Sequence, residues 1–394
     1  MADWQTLPLG DALTFQRGFD ITKDQQQDGP YPVFSSSGPK TTHAEFKAHG
    51  PGVIIGRKGS LGTVFYSDGD YWPHDTTLWV KDFHGHHPRF AYYFLQTMGF
   101  ERLDAGASNP SLNRNHIHTI LVRWPTLPVQ QRIASILSAY DELIENNQRR
   151  IRILEEMARA VYREWFVHFR FPGHEKLPHV PSTLGDIPQG WEVTTLGAQL
   201  AVLESGKRPK GGIRDVTDGV ASIGAENING IGRHDFVGEK FIPREFFQEM
   251  RKGVVRDRDV AIYKDGAYIG KSSYFRDGFP HAECCVNEHV FLLRASGIRL
   301  KQNALYLWLQ EPDTVHAIRA TNANAAQPGV NKQSVRGLEL VVSDEGTAAH
   351  FDRLVEPLLA KIINLAKRIQ NLRQTRDLLL PRLLSGNVEI ASEL

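Results

Sequence analysis

Two stripes of mostly apolar residues, spaced alternately four and three apart, run through the chain. The first passes through Ile133, Leu137, Tyr140, Ile144, Asn147, Ile151, Leu154, Ala158, Val161, Trp165 and His168. The second passes through Phe351, Val355, Leu358, Ile362, Leu365, Ile369, Leu372, Arg376, Leu379, Leu383 and Gly386, in the same register. This spacing predicts two long helices with a heptad seam. At a rise of about 1.5 Å per residue, 40 residues span roughly 60 Å. Such a helix overhangs a module of about 125 residues, whose radius is about 14 Å, so the two helices are expected to pack on each other. Pro128 suits a first turn and Gly386 a helix end. Pro357 is expected to kink or delay the second helix near its start. Asn147 places a polar group in an otherwise apolar seam, a device that commonly fixes register at a cost in stability.

The polar and apolar pattern outside the stripes is also given twice. Trp4-Gln-Thr-Leu-Pro-Leu-Gly10 is echoed by Trp191-Glu-Val-Thr-Thr-Leu-Gly197. GVIIGRKGSLGTVFY (52–66) is echoed by DVAIYKDGAYIGKSSYF (259–275), each an apolar run, a charged glycine turn and an aromatic end. Both predict a pair of strands joined by a tight turn. YYFLQTMGF (92–100) and YLWLQEPDT (306–314) each predict a short helix, and NPSLN (109–113) and QPGVN (327–331) precede closing strands. The expected fold is therefore α+β: two strand-rich modules in tandem, each followed by a long helix. Because each helix follows a similar module, pseudo-two-fold symmetry makes the pair an antiparallel coiled coil. The expected boundaries are a module over 1–126, a helix over 127–170, a linker over 171–184, a second module over 185–345, a second helix over 346–387 and a tail over 388–394. The expected seam residues are Ile133, Leu137, Ile144, Ile151, Leu154 and Val161, facing Val355, Ile362, Ile369, Leu372 and Leu379.

Composition changes this picture little. The chain has 394 residues, 41% hydrophobic and 23% charged, ordinary for a soluble protein of more than one domain. No apolar run approaches the ~20 residues that cross a bilayer, so no membrane association is expected. The start MADWQTLPLGD has no secretory pattern. The two cysteines, Cys284 and Cys285, are adjacent and cannot staple a secreted fold; a cytoplasmic location is expected. The formal net charge of +1 counts mildly against nucleic-acid binding. A DNA binder with this balance needs local positive charge or a partner that supplies it.

Candidate chemistry is sparse. Gly266-Ala-Tyr-Ile-Gly270-Lys271-Ser272 resembles a phosphate-binding loop, but has three residues between its glycines and leads into a strand pattern, not a helix. His281-Ala-Glu283 resembles half of a zinc deaminase site whose other half is missing. His84, His86 and His87 share a glycine-containing loop in which a metal would be adventitious, and no native metal site is expected. No cofactor loop, nucleophile elbow or paired nuclease carboxylates appear, and Asn109-Pro110-Ser111-Leu112 falls short of an amino-methyltransferase tetrapeptide.

The order of Trp-x-x-x-x-Leu-Gly, a charged glycine hairpin and a long helix, given twice, resembles the specificity (S) subunits of type I restriction–modification systems. The most particular stretches are LPVQQRIASILSAYDELIENNQRRI (127–151), AVYREWF (160–166) and NLRQTRDLLLPRLLSG (371–386). The resemblance implies a non-catalytic subunit whose modules are target-recognition domains reading an asymmetric bipartite DNA target, and whose helices space the half-sites. It implies double-stranded DNA and two methyltransferase subunits as partners, and motor-nuclease subunits as further ones. It places S-adenosylmethionine, ATP and magnesium on those partners and no cofactor on this chain. Base and phosphate contacts are expected from loop residues at one face of each module. In the first module these are Arg17, Lys23, Lys40, Arg57, Lys58, Ser60, Asn113 and Arg114. In the second they are Lys207, Arg208, Lys210, Arg214, Lys264, Lys271, Asn331 and Lys332. The alternatives are the specificity module of a related phage-defence system, a P-loop enzyme or a coiled-coil protein adaptor.

Overall fold

The computed structural model describes residues 4–103, 111–213, 216–321 and 329–385. The chain forms two compact units, Met1–Ile144 with Leu372–Leu394, and Glu145–Asn371. Both long helices contribute to both units.

In the first unit, β1 (Trp4–Pro8) leads into the short α1 (Leu9–Ala12) and then β2 (Thr14–Arg17), β3 (Tyr31–Ser35), β4 (Gly38–His43), β5 (Gly52–Gly56), β6 (Val64–Ser67), β7 (Trp72–Pro73) and β8 (Thr77–Asp82). Next come α2 (Pro88–Gln96), α3 (Arg114–His118) and β9 (Leu121–Pro125). The strands form a sheet ordered β2-β8-β5-β6, a second ordered β4-β3-β7, and the pair β1-β9. The predicted hairpin over 52–66 is present as antiparallel β5 and β6, with Ile54 opposite Phe65. Every residue of β5 is buried because both of its faces are covered. Val53 and Ile55 face a core with Phe90, Phe94 and Trp124, while Ile54 faces Phe34 and Tyr71. A strand enclosed on both faces reads as an unbroken apolar run. Gly52 has no substitute here: a Cβ would lie 2.2 Å from the Tyr71 ring.

The first long helix, α4 (Leu127–Tyr162), begins in this unit. Gln130 is fully buried; its Oε1 accepts from the His87 amide at 2.9 Å and its Nε2 donates to the Pro125 carbonyl at 2.8 Å. Ile133, Ala134 and Leu137 pack in the same core as Leu383 and Leu384. Asp141 accepts from Tyr93 Oη at 2.5 Å and from Arg376 Nη1 at 2.6 Å.

The second unit repeats the topology. After a two-strand ribbon, β10 (His179–Val180) with β11 (Ile187–Pro188), come β12 (Glu192–Thr195), α5 (Leu196–Gln199), β13 (Leu200–Ser205), β14 (Val220–Ile223), β15 (Gly230–Ile231), β16 (Phe241–Ile242) and α6 (Arg244–Glu249). They are followed by β17 (Val260–Tyr263), β18 (Ser272–Tyr274), β19 (Cys284–Val286), β20 (Val290–Ala295), α7 (Gln302–Trp308), α8 (Pro312–Ala320), α9 (Lys332–Arg336) and β21 (Glu339–Val342). The sheet order β13-β20-β17-β18 matches β2-β8-β5-β6, and β16-β14-β19 matches β4-β3-β7, including the parallel pair. Leu9 donates its amide to Ile120 and Leu196 to Leu338, at 2.8 and 2.7 Å. The single helix expected over 306–314 is instead two, α7 and α8, because Pro312 starts a new helix at its first turn.

The second long helix, α10 (Glu345–Leu384), starts in this unit. Pro357 does not delay it: the helix begins well before and runs through this residue. Pro357 and Arg353, whose carbonyl loses its donor, are both exposed, so the missing bond falls on the helix face away from the core. Here the end of α4 meets the beginning of α10: Tyr162 packs edge-on against Phe351 at 5.9 Å, and Phe166 against Phe351 at 4.8 Å. In the first unit the opposite ends of the same two helices meet, so the pairing is antiparallel in both. Helical backbone ends at Tyr162 in a π-helical turn, Arg163–Val167.

Of the expected seam residues, Ile133, Leu137, Ile144, Ile151, Val355, Ile362 and Ile369 are buried, and Leu154, Val161, Leu372 and Leu379 are half-buried. Leu359, not Leu358, is fully buried, because an undistorted helix repeats every 3.6 residues and drifts from a strict heptad. Gly386 lies outside the described residues. Asn147 is 8% exposed. Asn147→Leu is expected to raise stability by on the order of 1 kcal/mol, read as a higher melting temperature; a clear drop will mean that the amide makes a needed hydrogen bond.

Candidate nucleic-acid interface

In the first unit, the turn between β5 and β6 carries Arg57, Lys58 and Ser60. It is closed by the Gly62 amide donating to the Gly56 carbonyl at 2.9 Å. The Leu112 amide donates to the Arg57 carbonyl at 3.0 Å, and Lys58 bridges to Ser111. These contacts dock the start of α3 beside the hairpin. Asn113 caps that helix, its side chain accepting from the Asn115 amide at 2.9 Å. A cavity of about 610 Å³ results, lined by Arg17, Arg57, Ser111, Asn113, Arg114 and His116. No carboxylate lines it among the described residues. Arg57 Nη1 is buried and has no hydrogen-bond partner among the described residues, a donor set toward an acceptor. Arg17 is held by Asp75 at 2.7 Å. Lys23 and Lys40 are exposed, in a 3-10 turn and on β4, and do not line the cavity.

The second unit builds the same junction with different charges. Val330 donates its amide to the Lys264 carbonyl at 2.9 Å, and Asp265 bridges to Gly329. Asn331 caps α9 by accepting from the Ser334 amide at 2.8 Å, and Lys332 is exposed beside it. Here the cations are threaded by acids. Arg208 meets Glu288 at 3.0 Å, Glu288 meets His289 Nε2 at 3.3 Å, His289 Nδ1 meets Asp265 at 2.8 Å, and Asp265 meets Lys264 at 3.2 Å. Lys271 is not part of this line. It lies 4.3 Å over the ring of exposed Tyr268 and lines a separate cavity of about 410 Å³ with Arg159, Arg233 and Arg319. Lys207 and Lys210 are exposed, next to Gly211 and Gly212 at φ of 90° and 87°. Arg214 lies outside the described residues.

Asp75, His116, Glu288 and His289 were not among the residues expected from sequence. No local motif marks them; only the fold brings them beside the basic ones.

The enzyme-like motifs resolve into structure. Gly266–Tyr268 is a single 3-10 turn leading into β18, so no helix N-terminus faces a phosphate. Glu283 pairs with Arg244 at 2.9 Å. Cys284 and Cys285 are buried on β19, where burial pushes their thiols up to about 12 and about 11, so neither is a reactive thiolate. His84 bonds Thr14, His86 bonds Gln130 and His87 caps α2; burial lowers the pKa of both His86 and His87. Among the described residues, no helix is long and apolar enough to cross a membrane.

The module built twice thus places a helix-capping asparagine beside a hairpin each time, and a long paired helix follows. The family described as the type I restriction modification DNA specificity domain matches residues 1–156. The chain is 25% identical over 316 residues to the type I restriction enzyme MjaIX specificity subunit of Methanocaldococcus jannaschii, covering 76% of this chain and 69% of that one. It is 22% identical to the MjaVIII specificity subunit of the same organism, covering 68% of this chain and 65% of that one. Its fold is similar to the crystal structure of the type I restriction–modification S subunit from M. genitalium, with a TM-score of 0.61 and 16% identity, covering 99% and 97% of the two chains. Over most of its length the chain is thus similar to specificity subunits of type I restriction–modification systems, and the family match lies on its residues 1–156.

Proposed function

We propose that this chain is a DNA specificity subunit of a type I restriction–modification system, which catalyses nothing itself and reads an asymmetric bipartite target, one half-site per module. Two methyltransferase subunits and, for cleavage, motor-nuclease subunits are then directed to that target in the cytoplasm. The reading modules are assigned to residues 1–126 and 185–345, and the helices, over 127–170 and 346–387, are assigned as the spacer between half-sites. The observation that carries the reading is the unequal chemistry of two equivalent junctions. The first presents Arg57 and Arg114 with no lining acid among the described residues, a set suited to guanine edges and phosphate. The second interleaves Lys264 and Arg208 with Asp265 and Glu288, and carboxylates accept from cytosine amines. Modules so different are expected to prefer different bases, which makes the target asymmetric.

The test is a binding selection over randomised bipartite targets, with the assembled complex at two salt concentrations. Arg57→Ala is expected to cost roughly 1–3 kcal/mol and to relax one position in one half-site only. Lys207→Ala with Lys210→Ala is expected to flatten the salt dependence by about one unit of slope per lost phosphate contact, with base preference kept. If Arg57→Ala changes preference equally in both half-sites, the two-reader proposal is wrong.

A further inference from the structure

The second module differs from the first by an insertion. In the first, Ser36 and Ser37 alone join β3 to β4; in the second, residues 224–240 separate β14 from β16. The insertion contributes the short strand β15, which pairs in parallel with β18, and residues 232–240 beyond it form no helix or strand. His234 and Glu239 lie in the insertion, and His281 lies between β18 and β19. Their ligand atoms converge on one point. Glu239 Oε1 is 2.5 Å from His234 Nε2 and 2.6 Å from His281 Nε2, and all three donor atoms lie within 4.8 Å of one another. The side chain of His234 is 1% exposed, that of Glu239 10% and that of His281 27%. Phe236 stands edge-on to both imidazoles, at 4.6 and 5.7 Å.

We propose that His234, Glu239 and His281 bind one zinc-class divalent ion, which staples the insertion to the connection between β18 and β19. Two imidazoles and a carboxylate suit zinc, with water in the fourth position, and do not suit calcium or magnesium, which take oxygen ligands. With zinc bonds of about 2.0–2.1 Å, tetrahedral ligand atoms sit about 3.3 Å apart. Entry of the ion therefore needs Glu239 Oε1 to withdraw by less than about 1 Å from each ring. Without metal, the carboxylate closes the same gap by accepting from both imidazoles. Neither arrangement touches the residues assigned above to DNA reading, so the proposal stands or falls independently of them.

The experiment uses the full chain stripped with chelator and titrated with zinc chloride, reading bound zinc and melting temperature. Cobalt(II) replaces zinc in a parallel titration, to read the visible absorption of a tetrahedral site. The expected result is one saturable equivalent of zinc and a rise in melting temperature of roughly 5–10 °C at a hundredfold excess over the dissociation constant. His281→Gln and Glu239→Gln should each weaken binding at least tenfold. His86→Gln, which removes a histidine from the loop of His84, His86 and His87, should leave it unchanged. His281 is partly exposed, so its variant should melt like the metal-free wild type. Absence of saturable binding to the wild type, or binding undiminished in both His281→Gln and Glu239→Gln, overturns the proposal.

Discussion

Inserting seven residues between Ile144 and Glu145 of α4 alone is expected to abolish specific DNA binding by the assembled complex. The same insertion paired with a second, between Asn371 and Leu372 of α10, is expected to restore it on a wider target. Both points fall where one unit gives way to the other. The first helix packs Ile133 and Leu137 with Leu383 and Leu384 in one unit, and Tyr162 with Phe351 in the other. Lengthening one helix by about 10 Å leaves one of those two packings without its partner. Lengthening both preserves each packing, and seven residues are close to two turns, so the buried faces drift by only ~20°. The gap between half-sites should then grow by about three base pairs, at 3.4 Å per step along one strand. Methylation mapping of cells carrying each variant reads the gap directly. A paired insertion that assembles but leaves the gap unchanged would falsify the spacer role.

Glu356→Ala is expected to destabilise the second unit by on the order of 3 kcal/mol at neutral pH. The carboxylate of Glu356, on α10, accepts from Arg276 Nη2 at 2.5 Å, Arg258 Nη2 at 2.8 Å and Asn303 Nδ2 at 2.8 Å. The Arg276 side chain is only 2% exposed, and loss of its partner leaves a buried guanidinium uncompensated. Burial alone would raise the Glu356 pKa, but the bonds from Asn303 and Arg276 and the charges of Arg276 and Arg258 hold it below its ordinary 4.5. A depressed carboxylate pKa contributes stability that is fully present above the unfolded value and is lost as pH falls through the folded one. The difference between wild type and Glu356→Ala should therefore narrow on acidification from pH 7 to below about pH 4. Denaturant melts across that range check it. A difference independent of pH would mean that packing, and not charge, is what Glu356 supplies.

The elements legible in sequence were those with a local period. The hairpins over 52–66 and 259–275 alternate or run apolar within a few residues, and the long helices repeat a stripe over many turns. Position within a stripe was less legible: Leu358 fits a heptad, but the straight helix buries Leu359. The break between α7 and α8 had a signal in Pro312 that the echo of the first repeat obscured. Arg57, Asn113 and Arg114 were singled out because they flank a duplicated turn, and the structure gathers them with Arg17 around one cavity. The ion line through Glu288 and His289 was not, since each link joins residues far apart in sequence. The convergence of His234, Glu239 and His281 had no spacing to betray it, because the third ligand arrives from another connection.

The core of the first unit is completed by residues that the ribosome makes long after the rest of it. Ile133 and Leu137 wait for Leu379, Leu383 and Leu384, and Arg123 waits for the Ser385 carbonyl, which it meets at 3.0 Å. At 5–20 residues per second that delay is on the order of tens of seconds. The second unit, uninterrupted from Glu145 to Asn371, has all its parts earlier. Folding order during synthesis is thus expected to run against chain order, with the amino-terminal body held open and its greasy helix face uncovered until the end of α10 has been made. A nascent chain stalled between Asn371 and Leu379 would carry one complete body and one that chaperones must shelter.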